Sequence, residues 1–328
     1  MVNPYLPKVA FTFQDVAKAG PCWWYRTELP RRYLEARGWQ VSNNSPMAAD
    51  IVHVARSRST SYVDVIRAMK DAGKKVIYEV DDDYWLSNNL ATTRGNWPSY
   101  VNTINRTIDL CDAVIVTTQP LASTVSEVTG KPTYVAPNFL CAKSWGKPRI
   151  IPGLGKRPVL LVSGSPVHIS DFHILSEIAR QSSMRHFQWV FFGSDTFKQV
   201  IPSSILLPPV MIDHYFGILQ SLGKLTNVLG VVPLLDTLFN KSRSKLKWME
   251  YTYAGIPGIY SNLAEYPGYA NYTVSGGATA KQWAEQIIDA YERREEILAE
   301  DTQRLTEVGY MDTGIRYWED IFLRVMHG

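Results

Sequence analysis

Short apolar segments rich in β-branched residues recur along the first half of the chain. They are separated by segments whose apolar residues fall three and four positions apart. The first pattern predicts buried strands and the second predicts helices. Their alternation is typical of a parallel sheet covered by helices. The predicted strands are 8–13, 50–54, 75–80, 113–117 and 133–136, and the predicted helices include 61–71, 100–110 and 121–129.

A stretch rich in proline and glycine, 138–158, interrupts this alternation and is predicted to be a linker. A second alternation follows, with predicted strands at 159–163, 189–193, 228–232 and 258–261 and a long amphipathic helix at 280–300. A last helix, about 314–326, has one apolar face that must pack on another part of the protein.

These patterns predict an α/β protein of two Rossmann-like domains, 1–150 and 151–310, that face a central cleft. The C-terminal segment, 311–328, is expected to cross back and dock on the first domain.

Composition excludes several classes of protein. Of the 328 residues, 45% are hydrophobic and 20% are charged, which rules out disordered, collagen-like and coiled-coil chains. No apolar run is long enough for a membrane helix and the first residues do not resemble a signal peptide, so we expect a soluble, cytoplasmic protein. Three cysteines without CxxC spacing, Cys22, Cys111 and Cys141, support neither a disulfide framework nor a zinc site.

Charge is unevenly divided between the halves. Residues 1–150 contain 18 Lys/Arg and 13 Asp/Glu, whereas 151–328 contain 16 and 18, so the net charges are +5 and −2. Because summed charge favours encounter with partners of opposite sign, the first half is expected to meet an acidic partner. An ordinary solvated surface would give the same asymmetry.

The usual cofactor motifs are absent after the predicted strands. Neither 8–13 nor 159–163 is followed by GxGxxG, and no complete P-loop is present, which argues against dehydrogenases and P-loop ATPases. The densest group of charged residues is 240–257, NKSRSKLKWMEYTYAGIP. If this segment is one helix, Arg243, Lys247 and Glu250 share a face.

Two cations, with Ser244 near the start of such a helix, suit a diphosphate, and the carboxylate suits the paired hydroxyls of a ribose. This pattern predicts a nucleoside-diphosphate site. The alternative is a solvated basic face in which Lys247 and Glu250 form an i,i+3 salt bridge.

A second candidate loop, Gly164-Ser165-Pro166-Val167-His168, follows the predicted strand 159–163. Its small residues would let backbone amides approach an anion at a helix start, and His168 could bind a phosphate or a sugar. An ordinary loop with a structural histidine is the alternative.

Two candidate groups lie in the first half. One combines aromatic rings with a guanidinium, which together suit a sugar or phosphate unless they simply begin a core helix. The other is an acidic run at a strand end, which suits a metal, a general base or a helix N-terminus. The residues are Gly20, Trp23, Trp24, Tyr25 and Arg26 in the first group and Asp81, Asp82 and Asp83 in the second.

Taken together, these segments resemble the two-domain GT-B glycosyltransferases of the family-4 type, which are retaining nucleotide-sugar enzymes. The resemblance covers most of the chain and extends to a short subgroup found in phage and surface-polysaccharide gene sets. The segments that carry it are Gly20 with Tyr25, Arg26 and Pro30; VIYEVDDD at 76–83; 114–123 with Pro137 and Asn138; GSPVHISD at 164–171; and 233–261, continued by 264–269, Gly276 and Trp283.

The resemblance implies roles for particular residues. Arg243 and Lys247 would bind the donor phosphates and Glu250 the ribose, while Gly255 and Pro257 would shape the adjacent turn. One departure concerns a position eight residues before Glu250, where the family often has a carboxylate that accepts the C3 and C4 hydroxyls of the sugar. Here that residue is Ser242.

The sequence therefore predicts a glycosyltransferase that moves a sugar from a nucleotide-diphosphate sugar, most simply a UDP-sugar, to a hydroxyl group. Its site is expected to be retaining and independent of metal and of other cofactors. Gly164 and Ser165 with the 243–250 group would bind the donor, 20–26 the acceptor, and Asp81–Asp83 and His168 would take part in catalysis. The expected acceptor is acidic, and a hydroxymethylated pyrimidine in phage DNA fits this description.

Three alternatives stay open at this stage. A glycan or a protein side chain could be the acceptor. Because Asp81-Asp82-Asp83 satisfies an Asp-x-Asp pair, a metal-dependent sugar transferase of another fold is also possible. A non-catalytic protein that binds nucleotide sugars or nucleic acids is the third alternative.

Overall fold

The computed structural model describes most of the chain as two compact units. Unit 1 comprises 1–141 with 310–328, and unit 2 comprises 142–309, so the boundary lies a few residues before the predicted position 150. The candidate residues named above all lie within the described part, except Pro166 and Val167. The described residues are 3–13, 20–43, 45–55, 59–85, 97–145, 148, 151, 154, 156–165 and 168–328.

Unit 1 is built on a parallel sheet of six strands in the order β2-β1-β3-β4-β5-β6. Four of its strands have almost no exposed residues, because helices cover both faces of a parallel sheet. The elements are β1 (Val9–Phe13), α1 (Pro21–Trp23), α2 (Leu29–Ala36), β2 (Val41–Ser42), β3 (Ile51–Ala55), α3 (Thr60–Asp71), β4 (Lys75–Val80), α4 (Trp97–Leu110), β5 (Ala113–Val116), α5 (Gln119–Thr129) and β6 (Thr133–Val135).

Unit 2 has the same architecture with a different strand order, β12-β11-β10-β7-β8-β9, again entirely parallel. Its elements are β7 (Val159–Gly164), α6 (His173–Arg180), β8 (Gln188–Gly193), β9 (Ile205–Leu207), α7 (Ile212–Gly223), β10 (Val228–Val232), α8 (Leu238–Lys241), α9 (Leu246–Ala254), β11 (Gly258–Ser261), β12 (Thr273–Val274), α10 (Ala280–Glu292) and α11 (Arg294–Val308).

The last helix, α12 (Met311–His327), belongs to unit 1. Its apolar face is buried, and Gly314 lies so close to Phe139 that a Cβ there would be 2.3 Å from the ring. Glu319 accepts hydrogen bonds from Arg37 (2.7 Å) and from the indole N–H of Trp39 (3.1 Å). The chain therefore returns to unit 1 after completing unit 2.

The prediction of an α/β protein with two parallel sheets and covering helices is confirmed, with local differences. The predicted helix 280–300 is two helices, because the chain leaves helical geometry at Arg293 (φ −92°, ψ 12°). The edge strands β2, β9 and β12 have two or three residues each and were not predicted. In the part of the chain that the structure describes, no helix is long and apolar enough to cross a membrane.

Candidate functional site

The sheet order of unit 2 brings the two candidate donor loops together. Strands β7 and β10 are neighbours, and chain order proceeds outward from them on either side. Such a switch point, at the carboxyl ends of the strands, is where ligands bind in open α/β sheets. The loop from Gly164 follows β7, and the segment leading to α8 and α9 follows β10. Both loops therefore begin at this point of unit 2.

The segment 240–257 is not the single helix that the sequence analysis assumed. α8 ends at Lys241 and α9 begins at Leu246, so Arg243 and Ser244 lie between two helices. One reason is Glu265, whose carboxylate accepts the Lys245 N–H at 3.1 Å and so caps the start of α9. The expected alignment of Arg243 with Lys247 and Glu250 along one helix face is therefore wrong, although all three stay close in sequence to the start of α9.

Lys247 and Glu250 form the centre of a compact polar cluster with Tyr215 of α7. Lys247 Nζ lies 2.8 Å from Glu250 Oε2 and 2.8 Å from the Tyr215 hydroxyl. The Tyr215 hydroxyl lies 2.7 Å from the same carboxylate oxygen. The Glu250 side chain is 2% exposed and that of Lys247 22% exposed. The i,i+3 salt bridge considered as the alternative is present, but it is buried rather than solvated.

The charges in this cluster depend on burial and on the nearby ions. Burial, followed by the charge of Glu250, raises the pKa of Tyr215 well above its usual value, so this side chain is a neutral phenol at physiological pH. Burial is the largest single effect and lowers the pKa of Lys247, but the combined effects of the Glu250 carboxylate and the neighbouring tyrosines outweigh it, and the net shift is upward. The cluster thus contains a cation, an acceptor carboxylate and a phenol donor.

Arg243 and Lys245 have different environments. Arg243 is half-buried, with its guanidinium carbon 5.4 Å from the centre of the Phe239 ring. Lys245 is buried: its ammonium lies 4.0 Å from the centre of the Tyr269 ring and 3.8 Å from the Glu265 carboxylate. Lys245 therefore supports the turn before α9, whereas Arg243 and Lys247 retain some exposure.

The loop after β7 is organised by Asp171. Its Oδ2 lies 3.0 Å from His168 Nδ1, and its Oδ1 accepts hydrogen bonds from Asn240 Nδ2 (2.7 Å) and the Leu235 N–H (3.1 Å). If Asp171 is ionised it can only accept, so His168 Nδ1 carries the proton and Nε2 faces away from Asp171. One carboxylate therefore fixes the histidine and ties this loop to the segment after β10.

Gly164 ends β7 and is partly exposed, and Ser165, which follows it, is exposed. A Cβ at Gly164 would meet the Phe172 ring at 3.1 Å, so the small residue permits close packing of the loop on α6.

Arg26 does not present its guanidinium to solvent. It is 1% exposed and is held inside unit 1 by Glu79 (2.6 Å), the Ala136 carbonyl (2.7 Å) and Asn138 Oδ1 (3.2 Å). The His53 ring lies 3.4 Å from the other oxygen of Glu79. The acceptor contact expected of Arg26 is not supported by this placement, because its charge is already paired with a strand residue.

The other residues of that group differ in exposure. Trp24 and Tyr25 are buried in a π-helical turn, Trp24–Glu28, between α1 and α2, as expected if they begin a core helix. Gly20 and Trp23 are partly exposed. Their position after β1 leaves Gly20 and Trp23 as the members of the group that a ligand could reach.

The acidic run follows β4 directly. Asp81 and Asp82 are partly exposed, whereas Asp83 is buried. Within the described ranges, no group of three His, Cys, Asp or Glu side chains is arranged to hold a metal ion.

The sequence analysis assigned no role to Tyr215, Glu79 or Asp171. Tyr215 lies 35 positions before Glu250, and no local motif marks it. Glu79 lies in a strand that reads as hydrophobic, so its pairing with Arg26 has no sequence signal. The i,i+3 spacing of His168 and Asp171 could have indicated their contact.

The chain was compared with known proteins. No family model and no curated protein sequence matches it. Three solved structures with the same fold are sucrose-phosphate synthase from Thermosynechococcus elongatus (TM-score 0.68, 13% identity, 98% of this chain and 99% of that one), Anabaena HepE in complex with UDP-glucose (0.64, 12%, 96% and 99%), and an alpha-glucosyltransferase in complex with UDP and a 13-mer DNA containing an HMU base (0.64, 9%, 97% and 99%).

At these low identities, the comparisons bear on the fold. Coverage of nearly the whole of both chains means that the resemblance extends to both units and to the returning helix α12. The chain therefore has the two-unit α/β fold of nucleotide-sugar glycosyltransferases.

Proposed function

We propose that the protein is a glycosyltransferase of the family-4 type that transfers a sugar from a UDP-sugar to a hydroxyl group. The observation that carries the proposal is the Tyr215–Lys247–Glu250 cluster at the start of α9. Lys247 and Glu250 follow β10, one of the two strands at the switch point of the sheet in unit 2, and Tyr215 joins them from α7. Proteins with the same fold as this chain have been solved with UDP or UDP-glucose.

Lys247 is suited to the donor diphosphate. An ammonium has three N–H groups, and two of them are directed at Tyr215 and Glu250. The Lys247 ammonium makes no other hydrogen bond to the residues that the structure describes, so one N–H is available to a phosphate oxygen. Arg243, the amides at the start of α9 and Ser244 would add to the binding, and Gly164 and Ser165 would approach the same anion.

Binding of this kind would also accelerate the transfer. Negative charge develops on the diphosphate as the glycosidic bond breaks, so cations that grip it stabilise the transition state more than the ground state. Glu250 would accept hydrogen bonds from the hydroxyls of the ribose. His168, fixed by Asp171, would present Nε2 to the donor, and Asp81–Asp83 is where an acid–base group on unit 1 would be sought.

The proposed reaction needs no metal and proceeds with retention, with the leaving phosphate accepting the acceptor's proton. Unit 1 would bind the acceptor through Gly20 and Trp23. Counted over the structural units, the net charge is +1 for unit 1 (17 Lys/Arg, 16 Asp/Glu) and +2 for unit 2 (17 and 15), so charge does not single out the acceptor. An acidic acceptor is supported instead by the alpha-glucosyltransferase of the same fold, which was solved with DNA. We therefore propose DNA with a hydroxymethylated pyrimidine as the acceptor.

The test is turnover. The protein is incubated with UDP-glucose, UDP-galactose or UDP-N-acetylglucosamine and with DNA containing hydroxymethylated pyrimidines, a polysaccharide or a hydroxyl-bearing peptide, and products are identified by mass spectrometry. We expect a sugar-sized mass increase of DNA and release of UDP. Addition of sugar to the glycan or the peptide instead would replace the DNA proposal. Binding of UDP without turnover of any donor would contradict the enzymatic function.

A further inference from the structure

Tyr215 connects the two charged groups of the donor cluster. It lies on α7, outside the segment 240–257, and its hydroxyl is within 2.8 Å of both Lys247 Nζ and Glu250 Oε2. Its ring is supported by Phe192, with the ring centres 5.0 Å apart. The phenol is thus held by β8 while its hydroxyl reaches α9.

The direction of these hydrogen bonds follows from their chemistry. An ammonium cannot accept, so Lys247 donates to the Tyr215 oxygen. The single phenol proton is then directed to Glu250, which accepts it. Burial raises the pKa of Tyr215, so the proton stays on the phenol at physiological pH. Tyr215 therefore donates to the carboxylate and accepts from the cation at the same time.

This arrangement fixes both side chains before a ligand binds. Glu250 Oε2 is gripped by two donors, the phenol and the ammonium, which restricts rotation of the carboxylate. Preorganised charged hydrogen bonds make binding stronger, since less freedom is lost on association. Tyr215 would also keep its hydrogen bond to Glu250 while Lys247 donates its third N–H to a phosphate.

We infer that Tyr215 is a positioning residue that orients Glu250 towards the ribose and Lys247 towards the diphosphate of the donor. This inference rests on the proposed function, and it adds a residue of α7 to the determinants of nucleotide recognition. Its consequence is that discrimination between ribose and deoxyribose depends on a side chain that need not touch the nucleotide.

The test compares UDP with 2′-deoxy-UDP by calorimetry. The wild type is expected to bind UDP about tenfold more tightly than 2′-deoxy-UDP, because 2′-deoxy-UDP lacks one of the hydroxyls that donate a hydrogen bond to Glu250. Tyr215→Phe should weaken the binding of both nucleotides through Lys247 and that of UDP by about tenfold more, which brings the ratio of the two affinities close to one. The matched control is Tyr272→Phe, which removes a hydroxyl that donates to the exposed carboxylate of Asp289 and should leave both affinities unchanged.

An equal loss of affinity for both nucleotides in Tyr215→Phe, with the ratio preserved, would overturn the inference and leave Tyr215 a structural role. A double-mutant cycle with Glu250→Gln gives a second test. If Tyr215 acts through Glu250, its substitution should have little further effect on the affinity ratio in that background. An undiminished effect there would equally count against the inference.

Two results separate this inference from the function on which it rests. If the wild type binds neither nucleotide, the proposed function fails, and the inference fails with it. If the wild type discriminates but Tyr215→Phe does so equally well, only the inference fails. Should Tyr215→Phe be too unstable to measure, Tyr215→Met decides: it also lacks the hydroxyl, so a folded Met variant that keeps the wild-type ratio of affinities would refute the inference.

Discussion

Asp301 is a buried carboxyl group whose ionisation should make the stability of unit 2 depend on pH. It lies on α11, is 1% exposed, and accepts the Asn271 N–H at 2.8 Å. Burial raises its pKa to about 6 from its usual value of 3.8, and the Asn271 hydrogen bond offsets only part of that shift. The folded protein therefore holds a proton on Asp301 at pH values where the unfolded chain has lost it.

The sign follows from this difference in bound protons. Because the folded state binds more protons between pH 4 and 6, the free energy of unfolding falls as pH rises through that range. With these two pKa values, Asp301 costs about 2 kcal/mol more at pH 7.5 than at pH 4.5. Asp301→Asn keeps an oxygen acceptor for Asn271 but cannot ionise, so its stability relative to wild type should rise by that amount over the same range.

The assay is urea unfolding of wild type and Asp301→Asn at several pH values. The free energy of unfolding is taken from the transition of unit 2. Asp195→Asn, which neutralises an exposed aspartate of the same unit, is the control and should show no such trend. A constant difference between wild type and Asp301→Asn from pH 4.5 to 7.5 would refute the reasoning, because Asp301 would then titrate alike in the folded and unfolded states.

Three further outcomes are expected. Glu79→Gln should destabilise unit 1 by about 3 to 5 kcal/mol in thermal or urea unfolding, since it leaves Arg26 charged and buried; Glu35→Gln, which removes an exposed partner of Arg31, should cost less than about 1 kcal/mol. Turnover should persist in EDTA, and full loss of activity restored by Mn²⁺ would favour a metal site at Asp81–Asp83. Acceptor affinity should fall steeply with salt if the acceptor is DNA, and a flat profile would indicate a neutral glycan.

The strand pattern made the fold predictable. Apolar β-branched runs such as 75–80 and 228–232 match β4 and β10 residue for residue, because strands buried on both faces need continuous apolar sequence. The edge strands β2 and β12 could not be found this way. Two residues carry no periodicity, and their pairing depends on neighbours far away in sequence.

The candidate site was predictable where its contacts are local. The pairing of Lys247 with Glu250 is an i,i+3 contact that spacing alone suggests. The break before α9 was not visible, because it depends on Glu265, 20 residues away. The acceptor contact expected of Arg26 failed for a similar reason: its partner Glu79 lies 53 positions away in the sequence, so the buried ion pair could not be predicted.

The most direct test of the central claim is calorimetric titration of UDP into the wild type, Lys247→Met and Glu250→Ala. The account predicts binding by the wild type and a loss of about 1 to 3 kcal/mol in each variant, the usual effect of removing a hydrogen bond to a charged group. Lys281→Met, which alters an exposed pair on α10, should bind UDP like the wild type. Unchanged UDP affinity in both Lys247→Met and Glu250→Ala would contradict the assignment of the donor site.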